Sequence, residues 1–477
     1  MGAIRLAAAA VLITTALAAS AADCVTASRL VSTRASVPNL VVGPAAWSGS
    51  VLAVAKREEG NDRAIWLAIY GETLETLIAD RRVVNDAAPD DSLIDLVWNG
   101  TEFGLFYRTE ERIHLQRLSL FGESIGAPVV INPSRRPRTG DDIDVLWSDA
   151  LDAWVVARHI SSGVNRGIWL TLLNEDGSER SDLEIPAAPQ AEPHLAIEVT
   201  ETGVIGLFYL SEDDNMLVYT RVLPGKFPVS QSVATAGTDV HVTAVNDLFV
   251  VARMTGTVAT AAIRWFVIDS DLQFVRPDGV LIATNGVVLQ PLGLTATDDE
   301  LALSYATAPP GTAGIPQLHL HRFTLAGALI SDVPFAGTDI TAARALATDA
   351  PTWTGEAYVT PAVRESSARL DSYLVRYCPL QAEIAAPRVV LKNTPVTITA
   401  IADGGSPEYD YEWNVARDPG GSDQGPSIQR TFPLAGTFLI TLDVTDETGA
   451  SVTTTFTIEV VNEIEVPKPP KRRAVRK

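Results

Sequence analysis

Three carboxylates sit between apolar neighbours in short strand-like phrases. They are Asp95 in Ile94-Asp95-Leu96, Asp144 in Ile143-Asp144-Val145 and Glu198 in Ile197-Glu198-Val199. A fourth polar residue, His241 in Val240-His241-Val242, follows one unit later. A carboxylate flanked by apolar residues is costly to bury alone, so it must meet water, a cation or a basic partner. The three carboxylates around one axis could hold a hard cation such as calcium through oxygen ligands, with His241 beside them. A pair of them could act as acid and base in glycoside cleavage, given a defined separation and a shaped cleft. Solvated lining of a channel is the simplest account.

Other catalytic signatures are missing from the sequence. It contains no Gly-x-Ser-x-Gly elbow, no His-Glu-x-x-His and no phosphate loop. His319 and His321 lie two apart, hence on one face of a strand, a spacing that zinc accepts. His114, however, takes the place of His319 in a related phrase, with Gln116 second, so a repeat explains the pair without a metal. Asn165-Arg166-Gly167-Ile168-Trp169 is only a fragment of a sialidase box, and Asn174-Glu175-Asp176-Gly177-Ser178 is too brief for a calcium loop.

The elements that must position these residues come from internal repetition. Gly104-Leu105-Phe106-Tyr107 recurs as Gly206-Leu207-Phe208-Tyr209, and Val155-Val156-Ala157-Arg158 recurs as Val250-Val251-Ala252-Arg253. The register runs through seven units at Ala55, Tyr107, Ala157, Tyr209, Ala252, Tyr305 and Thr360, with a mean step of about 51 residues. Each unit reads as alternating strands separated by Gly, Asn, Asp or Pro turns. Four strands per unit of this length fit the blade of a β-propeller. The expected fold is all-β, a seven-bladed propeller over residues 23–380. The four polar residues would share one register of the innermost strands and face the channel.

The chain has only two cysteines, Cys24 and Cys378. The last repeat stops where its fourth strand should begin, while a spare strand, Val25 to Val31, precedes the first repeat. Borrowing that strand would close the ring and remove an exposed edge. A Cys24–Cys378 disulfide would then lock the closure, worth at most about 5 kcal/mol in the chain-entropy model.

Residues 1–22 read as a secretory signal: Arg5, an apolar run from Leu6 to Ala19, then Ala19-Ser20-Ala21 as the cleavage site. Asp23 and Ala21 stand where a lipoprotein signal wants other residues, so lipidation is not expected. No further apolar run is long and uniform enough to span a bilayer. The net charge is −21, and an acidic body argues against nucleic acid. The basic, Pro-rich tail at 463–477 should be disordered, and could touch an anionic surface or simply be solvated.

After Pro379 the pattern changes. Tyr411-Glu412-Trp413-Asn414-Val415 is followed by Gly436-Thr437-Phe438-Leu439-Ile440-Thr441-Leu442-Asp443-Val444-Thr445-Asp446, with Gly449 in the next turn. On these motifs, residues 381–462 resemble the PKD domain, an immunoglobulin-like β-sandwich. The family's Gly-Asp-Gly after the Trp strand is replaced here by Ala416-Arg417-Asp418-Pro419-Gly420. The resemblance implies a structural role for Tyr411, Trp413, Gly436, Val444, Asp446 and Gly449, in a spacer or interaction module. Turn signals every eight to twelve residues independently suggest a sandwich.

The expectation is therefore an exported, non-catalytic binding or adhesion module of the cell surface, extracellular space or periplasm, probing a glycan or protein and needing no cofactor, with calcium as the one candidate ion. The alternative is a secreted polysaccharide-active enzyme, a glycosidase or lyase, with its site over the channel at Asp95 and Asp144.

Overall fold

The computed structural model describes residues 27–32, 40–58, 64–85, 93–109, 112–132, 143–160, 167–185, 191–211, 216–235, 237–256, 260–283, 288–297, 300–308, 317–334, 350–366, 369–405, 408–416, 423–447 and 449–462. The signal segment, Cys24 and the basic tail lie outside them. The described chain divides into two compact units, 26–377 and a C-terminal unit beginning at Cys378.

The first unit contains seven four-stranded antiparallel sheets. Six are built from consecutive strands and are numbered here 1 to 6 in chain order. Sheet 3, for example, runs Ile143–Ser148, Ala153–Ile160, Gly167–Leu173 and Glu179–Ile185. Sheet 7 is composite. Its strands Thr352–Trp353, Tyr358–Ser366 and Arg369–Tyr377 are completed by the N-terminal strand Ala27–Ser32, which pairs antiparallel with Arg369–Tyr377.

Burial follows position within the sheet. The second strands of sheets 2 and 3, Phe103–Arg108 and Ala153–Ile160, are buried at every residue. The fourth strand of sheet 1, Thr76–Val84, is mostly exposed. A strand covered on both faces reads as a continuous apolar run, and that explains Val155-Val156-Ala157. Each sheet packs face to face on the next through its own apolar cluster. Leu67 and Leu105 join sheets 1 and 2, and Phe106 and Trp154 join sheets 2 and 3. Further clusters join 3 to 4, 4 to 5, 5 to 6 and 6 to 7. Leu52 and Tyr70 of sheet 1 then pack on Val359 and Leu374 of sheet 7. The packing closes on itself, so the unit is a β-propeller.

Two repeated glycines make room for this packing. A Cβ on Gly104 would stand 2.6 Å from the Trp154 ring, and one on Gly206 would stand 2.6 Å from the Phe249 ring. Both aromatics open the second strand of the following sheet, so the Gly of each Gly-Leu-Phe-Tyr phrase receives the neighbouring sheet's ring.

The C-terminal unit is a sandwich of a three-stranded and a five-stranded sheet. The larger sheet pairs Asp410–Val415 with Gly436–Thr445, and Gly436–Thr445 with Ser451–Val461. Alternate residues point inward: Phe438, Ile440, Leu442 and Val444 are buried while Leu439 is exposed. Trp413 is fully buried at the centre, and its indole N–H donates to the Gly425 carbonyl at 2.8 Å. Tyr411 packs at the margin of the same core. Asp446 is buried and caps the following turn, accepting the Ala450 N–H at 3.0 Å, while Gly449 takes a left-handed φ of 84°. Gly436 opens its strand at a φ of 141°.

Candidate functional site

The channel carboxylates lie on the innermost strands, but they do not share one register. Asp144 faces Ala157 and His241 faces Ala252. Asp95 faces Phe106, one residue short of its repeat anchor Tyr107, and Glu198 faces Gly206, three short of Tyr209. The offset is set by distance from the turn: Asp144 and His241 stand four rungs from the last pair of their hairpin, Asp95 three and Glu198 one. The single-register expectation is corrected accordingly.

Three of the four share a local habit. Each carboxylate accepts the N–H of the residue that follows it: Leu96 to Asp95 at 2.6 Å, Val145 to Asp144 at 2.9 Å, and Val199 to Glu198 at 3.1 Å. Two also reach the next sheet. Asp144 Oδ2 accepts the Ile197 N–H at 2.7 Å. Glu198 interacts in the same sense with the Ala244 N–H. Each of these two acids thus braces its own inner strand to the inner strand that follows.

Asp144 and Glu198 are brought close enough to feel each other. Burial pushes the Glu198 carboxyl up to about 8; the Asp144 charge adds to the push, and the Val199 and Ala244 donors oppose it. Glu198 keeps partial exposure, yet protein walls it in closely. Among the described residues, no group of three or more His, Cys, Asp or Glu is arranged to hold a metal ion. The pair is an electrostatic couple, with His241 and Asp95 on flanking sheets.

A second polar layer escaped the sequence reading. Residues 24 or 25 apart form ion pairs between the second and fourth strands of sheets 1, 3 and 5. Lys56, whose ammonium burial pushes down and Asp80 pulls up, contacts Asp80 at 2.5 Å. Arg158 lies 3.4 Å from Asp182, bridged by Thr171. Arg253, fully buried, holds Asp278 through two bonds of 2.7 and 3.2 Å, and Arg264 shares that carboxylate. The signal was present in the arginine ending each Val-Val-Ala-Arg phrase. Sheet 4 has Leu210 and Ala234 in the same two places, both buried.

His319 and His321 meet one carboxylate, Asp332, at 3.5 and 3.4 Å. Tyr305 stacks on His319 and donates its hydroxyl to Asp332 at 2.8 Å, while Thr307 contacts His319 Nε2 at 3.3 Å. Tyr107, His114 and Thr109 repeat the stack and the threonine contact in sheet 2.

A cavity of about 310 Å³ opens between sheets 3 and 4. Leu170, Leu183, Ile205 and Val222 line its walls, with Lys226 and Phe227 at the turn beside it. Phe227 is 91% exposed.

The C-terminal sandwich, with its buried Trp413 and capped turn at Asp446, agrees with a family comparison over the same residues. Residues 380–460 are a PKD domain. No curated protein matches the chain. Among solved structures, an extracellular domain from B. thetaiotaomicron is similar at 7% identity and a TM-score of 0.45, with 92% of this chain and 60% of that one covered. The chain thus spans less than two thirds of that protein's length. The SapL1 lectin, solved with α-methyl fucoside, is similar at 9% identity and a TM-score of 0.41, covering 63% of this chain and 97% of the lectin. The β-propeller domain of the trilobed protease from Pyrococcus furiosus is similar at 10% identity and a TM-score of 0.41, covering 70% and 95%. The PKD domain accounts for the C-terminal unit; the propeller carries the candidate sites.

Proposed function

We propose that the chain is an exported, non-catalytic binding module whose propeller presents a ligand site for a glycan or protein and whose PKD domain serves as spacer or second contact. The observation that carries the reading is the use of the channel carboxylates. Asp144 commits both oxygens to backbone donors, and Glu198 accepts from one backbone donor in its own strand and one in the next sheet. Groups committed to bracing a frame are poorly placed to exchange protons with a substrate. The cavity beside Phe227 supports the binding half of the reading, since ligand sites are concave and mostly apolar with a few polar groups.

The Cys24–Cys378 bridge belongs to this proposal. Support comes from the pairing of Ala27–Ser32 with Arg369–Tyr377, and from Cys378, which is fully buried directly after that strand. An oxidising compartment outside the cytoplasm follows from such a bridge. No helix among the described residues is long and apolar enough to cross a membrane.

One observation favours the enzymatic alternative. Glu198, whose carboxyl burial pushes up, stands near Asp144, and two carboxyls in such unlike settings have the character of an acid paired with a base. The deciding experiment is a glycan array run beside a reducing-sugar release assay, with wild type, Phe227→Ala and Glu198→Gln. Binding without release, weakened by Phe227→Ala, supports the module. Release abolished by Glu198→Gln would overturn it.

A further inference from the structure

Each sheet of the propeller ends in an outer strand whose far edge has no strand partner among the described residues. Such edges invite pairing with another chain unless charge, proline, shortness or irregularity protects them. Six of the seven carry that protection. Sheet 1 has Asp80, Arg81 and Arg82 in its outer strand, and sheet 3 has Glu179, Asp182 and Glu184. The outer strand of sheet 2 is three residues long. Sheet 5 has Arg276, Pro277 and Asp278 with three register shifts, and sheet 6 has Asp332 and Pro334. The N-terminal strand that edges sheet 7 holds Arg29.

Sheet 4 is different. Its outer strand, Val229–Thr235, is seven residues of Val-Ser-Gln-Ser-Val-Ala-Thr, with neither charge nor proline. Val229 to Ser232 pair in unbroken register with the strand inside them, and the one irregularity falls at Val233. Val229, Ser230, Gln231 and Ser232 are all exposed. The strand also reads the same in both directions about Gln231: Val229-Ser230-Gln231-Ser232-Val233.

A palindromic strand is self-complementary under a two-fold axis, because antiparallel pairing then sets each residue against a mate of its own kind. We propose that this edge pairs with the same edge of a second copy, joining two sheet 4s into one continuous sheet. Gln231 faces Gln231 of the partner at the axis, Ser230 faces the partner's Ser232, and Val229 faces the partner's Val233. No like charges meet in this register, although the chain as a whole is strongly acidic. The bulge at Val233 limits the regular contact to a few residues. The association is therefore weak and reversible, below the size of a standard interface.

The test is sedimentation velocity on the full chain across the micromolar range, beside two variants. The wild type should move from monomer to dimer with concentration. Gln231→Lys puts two like charges at the axis and should weaken the dimer about tenfold or more with an unchanged thermal midpoint. Under oxidation, Gln231→Cys should cross-link readily, whereas Ser230→Cys, which faces serine in this register, should not. The crosslinking arm still decides if Gln231→Lys folds poorly. A wild type that stays monomeric, a dimer indifferent to Gln231→Lys, or equal crosslinking at 230 and 231 would each overturn the proposal. Glycan binding should survive Gln231→Lys, which separates this proposal from the ligand site.

Discussion

Asp144 Oδ2 accepts the backbone N–H of Ile197 at 2.7 Å, so a side chain of sheet 3 satisfies a donor on the innermost strand of sheet 4. The contact gives the carboxylate a mechanical duty in the ring. Asp144→Ala should leave the Val145 and Ile197 donors to be met by water or not at all, at about 1–3 kcal/mol. Asp144→Asn keeps an acceptor and should cost less. Urea denaturation of the propeller, followed by Trp fluorescence, measures both. If the channel acids are braces, adding calcium or chelator will leave the wild-type midpoint where it is.

Glu198 predicts a pH signature. Its carboxyl, ordinarily at 4.5, is pushed up to about 8 in the folded state, chiefly by burial. The folded chain then binds more protons than the unfolded chain between those values, so stability falls as pH rises through this window. The contribution is complete below the unfolded value and levels off above about 8. Glu198→Gln should flatten the slope between pH 5 and 8 and leave the variant relatively more stable at alkaline pH. Parallel slopes for wild type and variant would count against the assignment.

Asp332 predicts the opposite sign at acid pH. Burial pushes its carboxyl up, but hydrogen bonds from His319, His321 and Tyr305 prevail and hold it well below the usual carboxylate range. The stabilisation is present above the unfolded value of 3.8 and is lost as pH falls from there through the folded value. Asp332→Asn should therefore be less stable at neutral pH and lose less on acidification. Circular dichroism during acid titration, wild type against variant, reads the difference.

Arg253 is fully buried and paired with Asp278, so Arg253→Ala should destabilise the propeller by about 3 kcal/mol. The low end of the buried-pair range applies because Arg264 stays to neutralise Asp278. Differential scanning calorimetry should place the loss in the propeller transition.

Trp413→Ala empties the centre of the PKD core and strands the Gly425 carbonyl, a loss of about 3–5 kcal/mol. A fragment beginning near Leu380 should fold alone and show dispersed amide resonances; the same fragment with Trp413→Ala should not.

The sequence was most readable where packing restricts a residue on both sides. Gly104 and Gly206 admit a neighbouring ring, Val155 to Ala157 are covered on both faces, and the PKD strands alternate in and out around Trp413. Each demand recurs and leaves a phrase. The ion pairs left half a phrase: Arg158 and Arg253 repeat, but Asp182 and Asp278 sit on exposed outer strands where little else is restricted. The channel acids misled for a different reason. Asp95, Asp144 and Glu198 share a neighbourhood of apolar residues, and that is sequence-local. Their depth along the channel depends on how far each stands from its turn: Glu198 is one rung from the last pair of its hairpin and Asp144 four, a difference that apolar flanks do not report.

The composite seventh sheet has a consequence for how the protein bears load. Ala27 lies opposite Arg376 and Ser32 opposite Ser372, so both strands leave the pairing from the same end. Tension entering through the PKD side and the chain's beginning would unzip the ladder bond by bond instead of shearing it all at once. Unzipping is the weak direction of any antiparallel pair. If Cys24 and Cys378 are joined as proposed, that link would take up the pull before the first rung opens. Reduced protein would then look intact in a quiet solution and fail only when something tugs on it.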